Sequence, residues 1–92
     1  MPKIRPSPIP VLQQANAGQA VAVGTSPFVY TATQPSLAQV VGGVVTLIER
    51  SMDNGTTWLS VGILAGEFIL PAGAQLRVTA PVTKPTLTVY PL

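Results

Sequence analysis

Asn54-Gly55 stands between two apolar, β-branched runs, and no other feature of the chain limits its fold as strongly. Glycine accepts positive φ without steric cost and asparagine tolerates it better than most residues, so the pair favours a tight hairpin. The run before it, Val44 to Arg50, and the run after it, Thr56 to Ile63, are each long enough for a strand. In the first, Val44, Thr46 and Ile48 are expected on one face and Val45 and Leu47 on the other. Both faces are largely apolar, as in a strand covered on both sides. In the second, Leu59, Val61 and Ile63 form one apolar face, with Trp58, Ser60 and Gly62 opposite. A two-layer sandwich buries only one face of each sheet within a subunit. The other face of the outgoing strand then needs a loop, the N-terminal segment or another subunit to cover it.

Alternation recurs along the rest of the chain. Gln19 to Val23 suits a first strand, and Ser26 to Thr33 a second, with Phe28 and Tyr30 to one side and Val29 and Thr31 to the other. Pro27 places the beginning of that strand at an edge or entry point. Ser36 and Gln39 have capping-box spacing, but Gly42-Gly43 arrives too soon for a helix, so a short strand at Leu37 to Val41 is expected. Glu67 to Leu70 is another strand, turned at Pro71-Ala72-Gly73. Ala74 to Ala80 directs Leu76, Val78 and Ala80 inward, and Gln75, Arg77 and Thr79 outward. After a loop at Pro81 to Pro85, Thr86 to Tyr90 directs Leu87 and Val89 inward. Five or six short strands predict an all-β fold, a small antiparallel β-sandwich of jelly-roll or immunoglobulin-like type over residues 19–92.

Residues 1–18 read differently. Proline at positions 2, 6, 8 and 10 fixes φ and restricts each preceding residue, which predicts an extended, polyproline-like arm. Residues 11–18 leave a turn of helix and a short strand equally open. A pre-stiffened arm loses less entropy on docking than a flexible one. It would use Ile4 and Ile9 as apolar anchors, with Lys3 and Arg5 reaching acidic groups on a neighbour.

Charge is scarce. Lys3, Arg5, Arg50, Arg77 and Lys84 face only Glu49, Asp53 and Glu67, so charged residues make up 9% of the chain, against about 25% in an average soluble protein. Large neutral or apolar surfaces follow, and these mark interaction sites. The net charge of +2 is too small and too scattered for a nucleic-acid footprint. The apolar stretch Val40 to Ile48 is about half the ~20 residues a membrane-spanning helix needs. At the N-terminus Lys3 and Arg5 are followed by prolines where an export signal needs an apolar run.

The composition also argues against an enzyme. There is no His and no Cys, so the commonest general base, the thiolate nucleophile and the usual transition-metal ligands are missing. A glycosidase pair would have to come from three carboxylates, of which Asp53 is expected to hold turn amides and Glu49 to lie on the strand face or to pair with an arginine. Calcium at Asp53 would want further carboxylates. No cofactor and no metal are therefore expected. Trp58 and Tyr90 are the aromatics that would stack on a sugar, or else they close the hairpin and pack near the C-terminal edge.

Ser51, Asp53, Gly55 and Trp58 fit the pattern Ser-x-Asp-x-Gly-x-x-Trp, which resembles the Asp-box hairpin. That resemblance implies a folding device, with the Asp side chain on turn amides and the Trp packed across the hairpin. A single copy does not imply sialidase activity. Two wider stretches resemble small all-β virion proteins of tailed bacteriophages, of the head decoration (cement) or head-fibre type. One is Ser26-Pro27-Phe28-Val29-Tyr30-Thr31 with Gly42-Gly43-Val44-Val45 and the hairpin. The other is Ala74 to Thr79 followed by Pro85 to Leu92. The resemblance implies a homo-oligomer, a trimer first of all, standing on the capsid surface against the major capsid protein after assembly in the host cytoplasm. A receptor- or carbohydrate-binding fibre module is the alternative it implies.

Overall fold

The computed structural model describes residues 17–92. The arm residues Lys3, Ile4, Arg5 and Ile9 lie outside the described residues. Among the described residues there is no helix, and eight strands follow one another: β1 (Gln19–Val21), β2 (Phe28–Thr31), β3 (Ser36–Val41), β4 (Leu47–Ser51), β5 (Leu59–Ser60), β6 (Gly66–Leu70), β7 (Gln75–Thr79) and β8 (Thr86–Pro91). Each of the eight lies within or overlaps a stretch that the sequence marks as a strand, Gln19 to Val23 and Thr56 to Ile63 included, so five or six is an undercount.

The strands form two four-stranded sheets, ordered β1-β8-β3-β6 and β2-β7-β4-β5. Every pairing is antiparallel. First half pairs with second half in reverse order: β1 with β8, β2 with β7, β3 with β6, β4 with β5. Such a pattern results when one long antiparallel ribbon, its tip between β4 and β5, wraps so that alternate pairs fall in opposite sheets. The pairs β3·β8 and β4·β7 then complete the sheets. This is the jelly-roll order of a double-sheet sandwich, which decides between the two sandwich types the sequence allowed. The Asn54-Gly55 turn is the tip of the ribbon.

The core is aliphatic but for Phe68. Ala38, Val40, Leu87 and Val89 with Phe68 and Leu70 line the inner face of the first sheet, and Ile48, Leu76 and Val78 that of the second. Phe28, Tyr30, Val21 and Val61 pack against its margins. The inward and outward assignments on β7 and β8 hold, because both strands are central in their sheets and have a fully covered inner face. Pro27 does precede an edge strand, β2. Among the described residues every buried side-chain polar atom has a hydrogen-bond partner, as a stable interior requires.

Two readings of the central hairpin need correction. The first run does not begin as a strand at Val44; β4 starts at Leu47, and Val45 and Ile48 are both buried while Val44 and Leu47 are exposed. Strict alternation fails because the Thr46 N–H and Oγ1 both donate to the Thr79 carbonyl, at 2.8 and 3.2 Å, before regular pairing of Leu47 with Thr79 begins. On the return side only Leu59–Ser60 is strand. Val61 still donates its N–H to Ile48, but Gly62, at φ 83°, then takes the chain out of the sheet. Leu59 shares a face with Arg50 and Leu76 yet is 68% exposed, because β5 is an edge strand and the sandwich gapes along this flank. Leu59 and Ile63 are thus surface residues, not core.

Candidate functional site

The ribbon tip is built by its own side chains. Ser51 is fully buried and its Oγ accepts the Gly55 N–H at 2.7 Å and the Asp53 N–H at 3.4 Å, while donating to Asp53 Oδ1 at 2.8 Å. The same carboxylate oxygen accepts the Thr57 N–H at 2.8 Å. These bonds hold Asn54 at φ 60° and Gly55 at φ 90°, the left-handed conformations this dipeptide accommodates. The Thr57 N–H above all, then the Ser51 hydroxyl, draw the Asp53 pKa down to about 2. Ser51, Asp53, Asn54, Gly55 and Trp58 thus lie together at the ribbon tip. A Cβ at Gly55 would lie 2.7 Å from Gln75 Oε1 and 3.9 Å from the Trp58 ring, so the turn rests on both.

Next to the turn, the outer face of the second sheet carries a small polar cluster. Glu49 and Arg77 are cross-strand partners, joined by an ion pair of 2.7 Å. The hydrogen bond from Arg77 lowers the Glu49 pKa and raises that of Arg77. The Arg77 guanidinium also lies 4.2 Å from the Trp58 ring centroid, a cation–π stack. Gln75 donates to Thr31 at 2.9 Å across the neighbouring pair. Tyr90 belongs to the other sheet, with its hydroxyl 3.4 Å from Gln39 Oε1 and its ring against Gly18. The two aromatics are on opposite sheets, each with its own neighbours, and form no common stacking platform. A flank groove of about 400 Å³ runs beside β5, lined by Arg50, Met52, Asp53, Leu59 and Val61 among others.

The remaining exposed apolar residues gather at one end of the sandwich. Antiparallel strands alternate direction, so residues 22–27, 42–46, 61–65 and 80–85 connect strands at one end, and residues 32–35, 52–58 and 71–74 at the other. The first end carries one charged residue, Lys84, and its ammonium is folded back onto the Ala80 carbonyl at 2.8 Å. Around it Val82 is 81% exposed, Val44 53%, and Ile63 and Leu64 51% each. A shallow groove of about 610 Å³ runs between Gly42–Val45 and Ile63–Ala65. Connections of this kind are ordinarily polar.

No known family, curated protein or solved structure matches the chain.

Among the described residues no three Asp or Glu side chains gather into a cation-binding group. The pairing of Glu49 with an arginine follows the expectation from sequence, whereas the stacking of Arg77 on Trp58 does not appear there, because it joins residues on β7 and the ribbon tip. The apolar end has a signal in the sequence, four inter-strand segments almost without charge, but Val44 and Ile63 read locally as strand residues on sheet faces.

Proposed function

We propose that this chain is a structural subunit of a virion, a capsid decoration protein that oligomerises and braces contacts between shell subunits. In this reading it stands on the capsid surface, is assembled in the host cytoplasm, and has the major capsid protein as its partner. The observation that carries the assembly part is the nearly uncharged, aliphatic loop end, with Val44, Ile63, Leu64 and Val82 open to solvent. Apolar surface of this kind marks an interaction site. The virion part draws on the resemblance of the sequence to small phage head proteins and on the strand order, which viral capsid subunits also use. Lectins share that order, so the fold alone does not choose between them. What favours the decoration reading over a sugar-binding module is that Arg77 lies over Trp58 and that Tyr90 is on the other sheet.

The deciding experiment is the copy number of the protein in purified virions, measured by quantitative mass spectrometry against the major shell protein. A number comparable with the shell subunit is expected, and complete absence refutes the reading. Deleting residues 1–10 should then abolish capsid attachment while leaving the circular dichroism of the sandwich unchanged.

A further inference from the structure

We propose that the groove between Gly42–Val45 and Ile63–Ala65 is the seat for the proline-rich arm of a second copy of this chain. Ile4 enters the groove, and Lys3 and Arg5 on either side of it reach Glu67. The inference rests on the reading of the chain as an assembly subunit and names the surface through which copies join.

Charge complementarity selects this occupant. Of the three acidic residues, Glu49 is engaged by Arg77 and Asp53 by the turn. Glu67 is exposed, and its carboxylate has only the Gln39 amide, at 3.5 Å. It follows directly on Gly66, two residues beyond the groove wall at Ala65. The arm residues 1–10 carry two charges, both positive, on the two residues flanking Ile4. An aliphatic side chain between two cations is the complement of an aliphatic groove beside an unpaired carboxylate. The groove is also accessible to a backbone laid along it, since a Cβ at Gly42 would meet nothing within 4 Å.

Direction selects a neighbour over the chain's own groove. The chain enters β1 at the ribbon-tip end, where Gly18 lies against Tyr90, whereas the groove is at the opposite end. The longest strands, six residues, span about 20 Å at ~3.3 Å per residue. If extended at ~3.1 Å per residue, the arm would have a reach of about 40 Å between Ala17 and Ile4, about twice the length of the longest strands and enough for the loop end of an adjacent copy. Such a contact is heterologous, joining different surfaces of two copies, and closes into a ring when the rotation between copies allows.

The absence of cysteine from the chain makes cross-linking a clean test. Full-length Ile4→Cys is mixed with full-length Leu64→Cys under mild oxidation, with Val29→Cys, on the outer face of β2, as the control acceptor. A mixed Ile4–Leu64 disulfide should exceed the control by about tenfold, the ratio given by a docking preference of roughly 1.4 kcal/mol. Glu67→Lys should reduce the excess, and Ile63→Cys serves as second acceptor should Leu64→Cys misfold. Equal yields at the groove and control positions overturn the proposal. So does a double variant that closes within one chain at every dilution. Loss of the specific cross-link with capsid attachment intact refutes the groove and leaves the decoration reading standing. A specific cross-link in a protein missing from virions supports the groove and refutes that reading.

Discussion

Replacing Ser51 by alanine removes one oxygen from the ribbon tip and tests whether the turn is held as the geometry implies. The Ser51 Oγ is fully buried, accepts from Gly55 at 2.7 Å and more weakly from Asp53 at 3.4 Å, and donates to Asp53 at 2.8 Å. Alanine leaves the half-buried Gly55 N–H without an acceptor, and an orphaned buried donor costs about 1–3 kcal/mol. The methyl group fills nearly the same space, so no large cavity term is added. A central value of about 2 kcal/mol lowers the melting temperature of a domain this size by roughly 8–16 °C. Urea denaturation followed by Trp58 fluorescence gives the free energy directly. Ser60→Ala is the control, because Ser60 is exposed and accepts one N–H, from Gly62 at 3.1 Å; its effect should stay within about 0.5 kcal/mol. A Ser51→Ala variant as stable as Ser60→Ala would refute the claim that this hydroxyl organises the tip.

Asp53 titrates at about 2 in the folded chain against 3.8 when unperturbed. Its folded pKa is depressed, so its contribution to stability is fully present above 3.8 and is lost as pH falls through about 2. Thermal midpoints should be level above about 4.5, the ordinary carboxyl value from which the ion-paired Glu49 also begins to lose its contribution, and fall below it, and a carboxyl NMR titration should show the Asp53 midpoint move upward in Ser51→Ala. Gly42 and Gly43 both have left-handed φ, 77° and 68°, but a Cβ at Gly43 would stand 2.6 Å from the Pro85 nitrogen. Gly42→Ala should therefore cost about 1 kcal/mol from backbone strain alone and Gly43→Ala measurably more, read by urea denaturation. Leu76→Ala, in the centre of the core, should cost about 2–5 kcal/mol, whereas the exposed Ile69 should tolerate alanine within about 0.5 kcal/mol.

The sequence makes two of the four central strands, β7 and β8, fully legible and blurs the edges of the fold, for a physical reason. β7 and β8 lie between neighbours and over a complete core, so their alternation of inward and outward residues is uninterrupted. The ribbon tip is equally plain, because Ser51, Asp53, Gly55 and Thr57 satisfy one another's hydrogen bonds within seven residues. β5 is different: two residues long, at an edge, with Leu59 facing an open flank, it violates the rule that apolar faces are covered. The start of β4 is hidden by the two hydrogen bonds that the Thr46 N–H and hydroxyl donate to the Thr79 carbonyl, after which Val45 faces inward. Jelly-roll order depends on which distant strands pair, and no local pattern encodes that. The loop end escaped notice because its aliphatic residues look, one by one, like ordinary strand residues; only the topology brings the four connections together.

The wrapped ribbon also separates two tasks that compete in so small a domain. The ribbon-tip end needs polar, self-satisfying side chains, since Ser51, Asp53 and Thr57 there close a turn whose backbone groups the sheets do not reach. The opposite end has its backbone tied by main-chain bonds such as Val44 N–H to Thr83 at 2.9 Å and by the Ser26 hydroxyl that accepts the Ala80 N–H at 2.9 Å. Its exposed aliphatic side chains are therefore not required to hold the connections in shape. Folding should then tolerate their replacement by polar residues, and under the proposed assembly role their exposure serves association. Ile63→Ser with Leu64→Ser should accordingly change stability by no more than about 0.5 kcal/mol, because both residues are half exposed and neither belongs to the core. The same pair should shift the sedimentation profile of the full-length protein toward monomer. A variant that unfolds while remaining associated would reverse the argument and make the loop end part of the folding core.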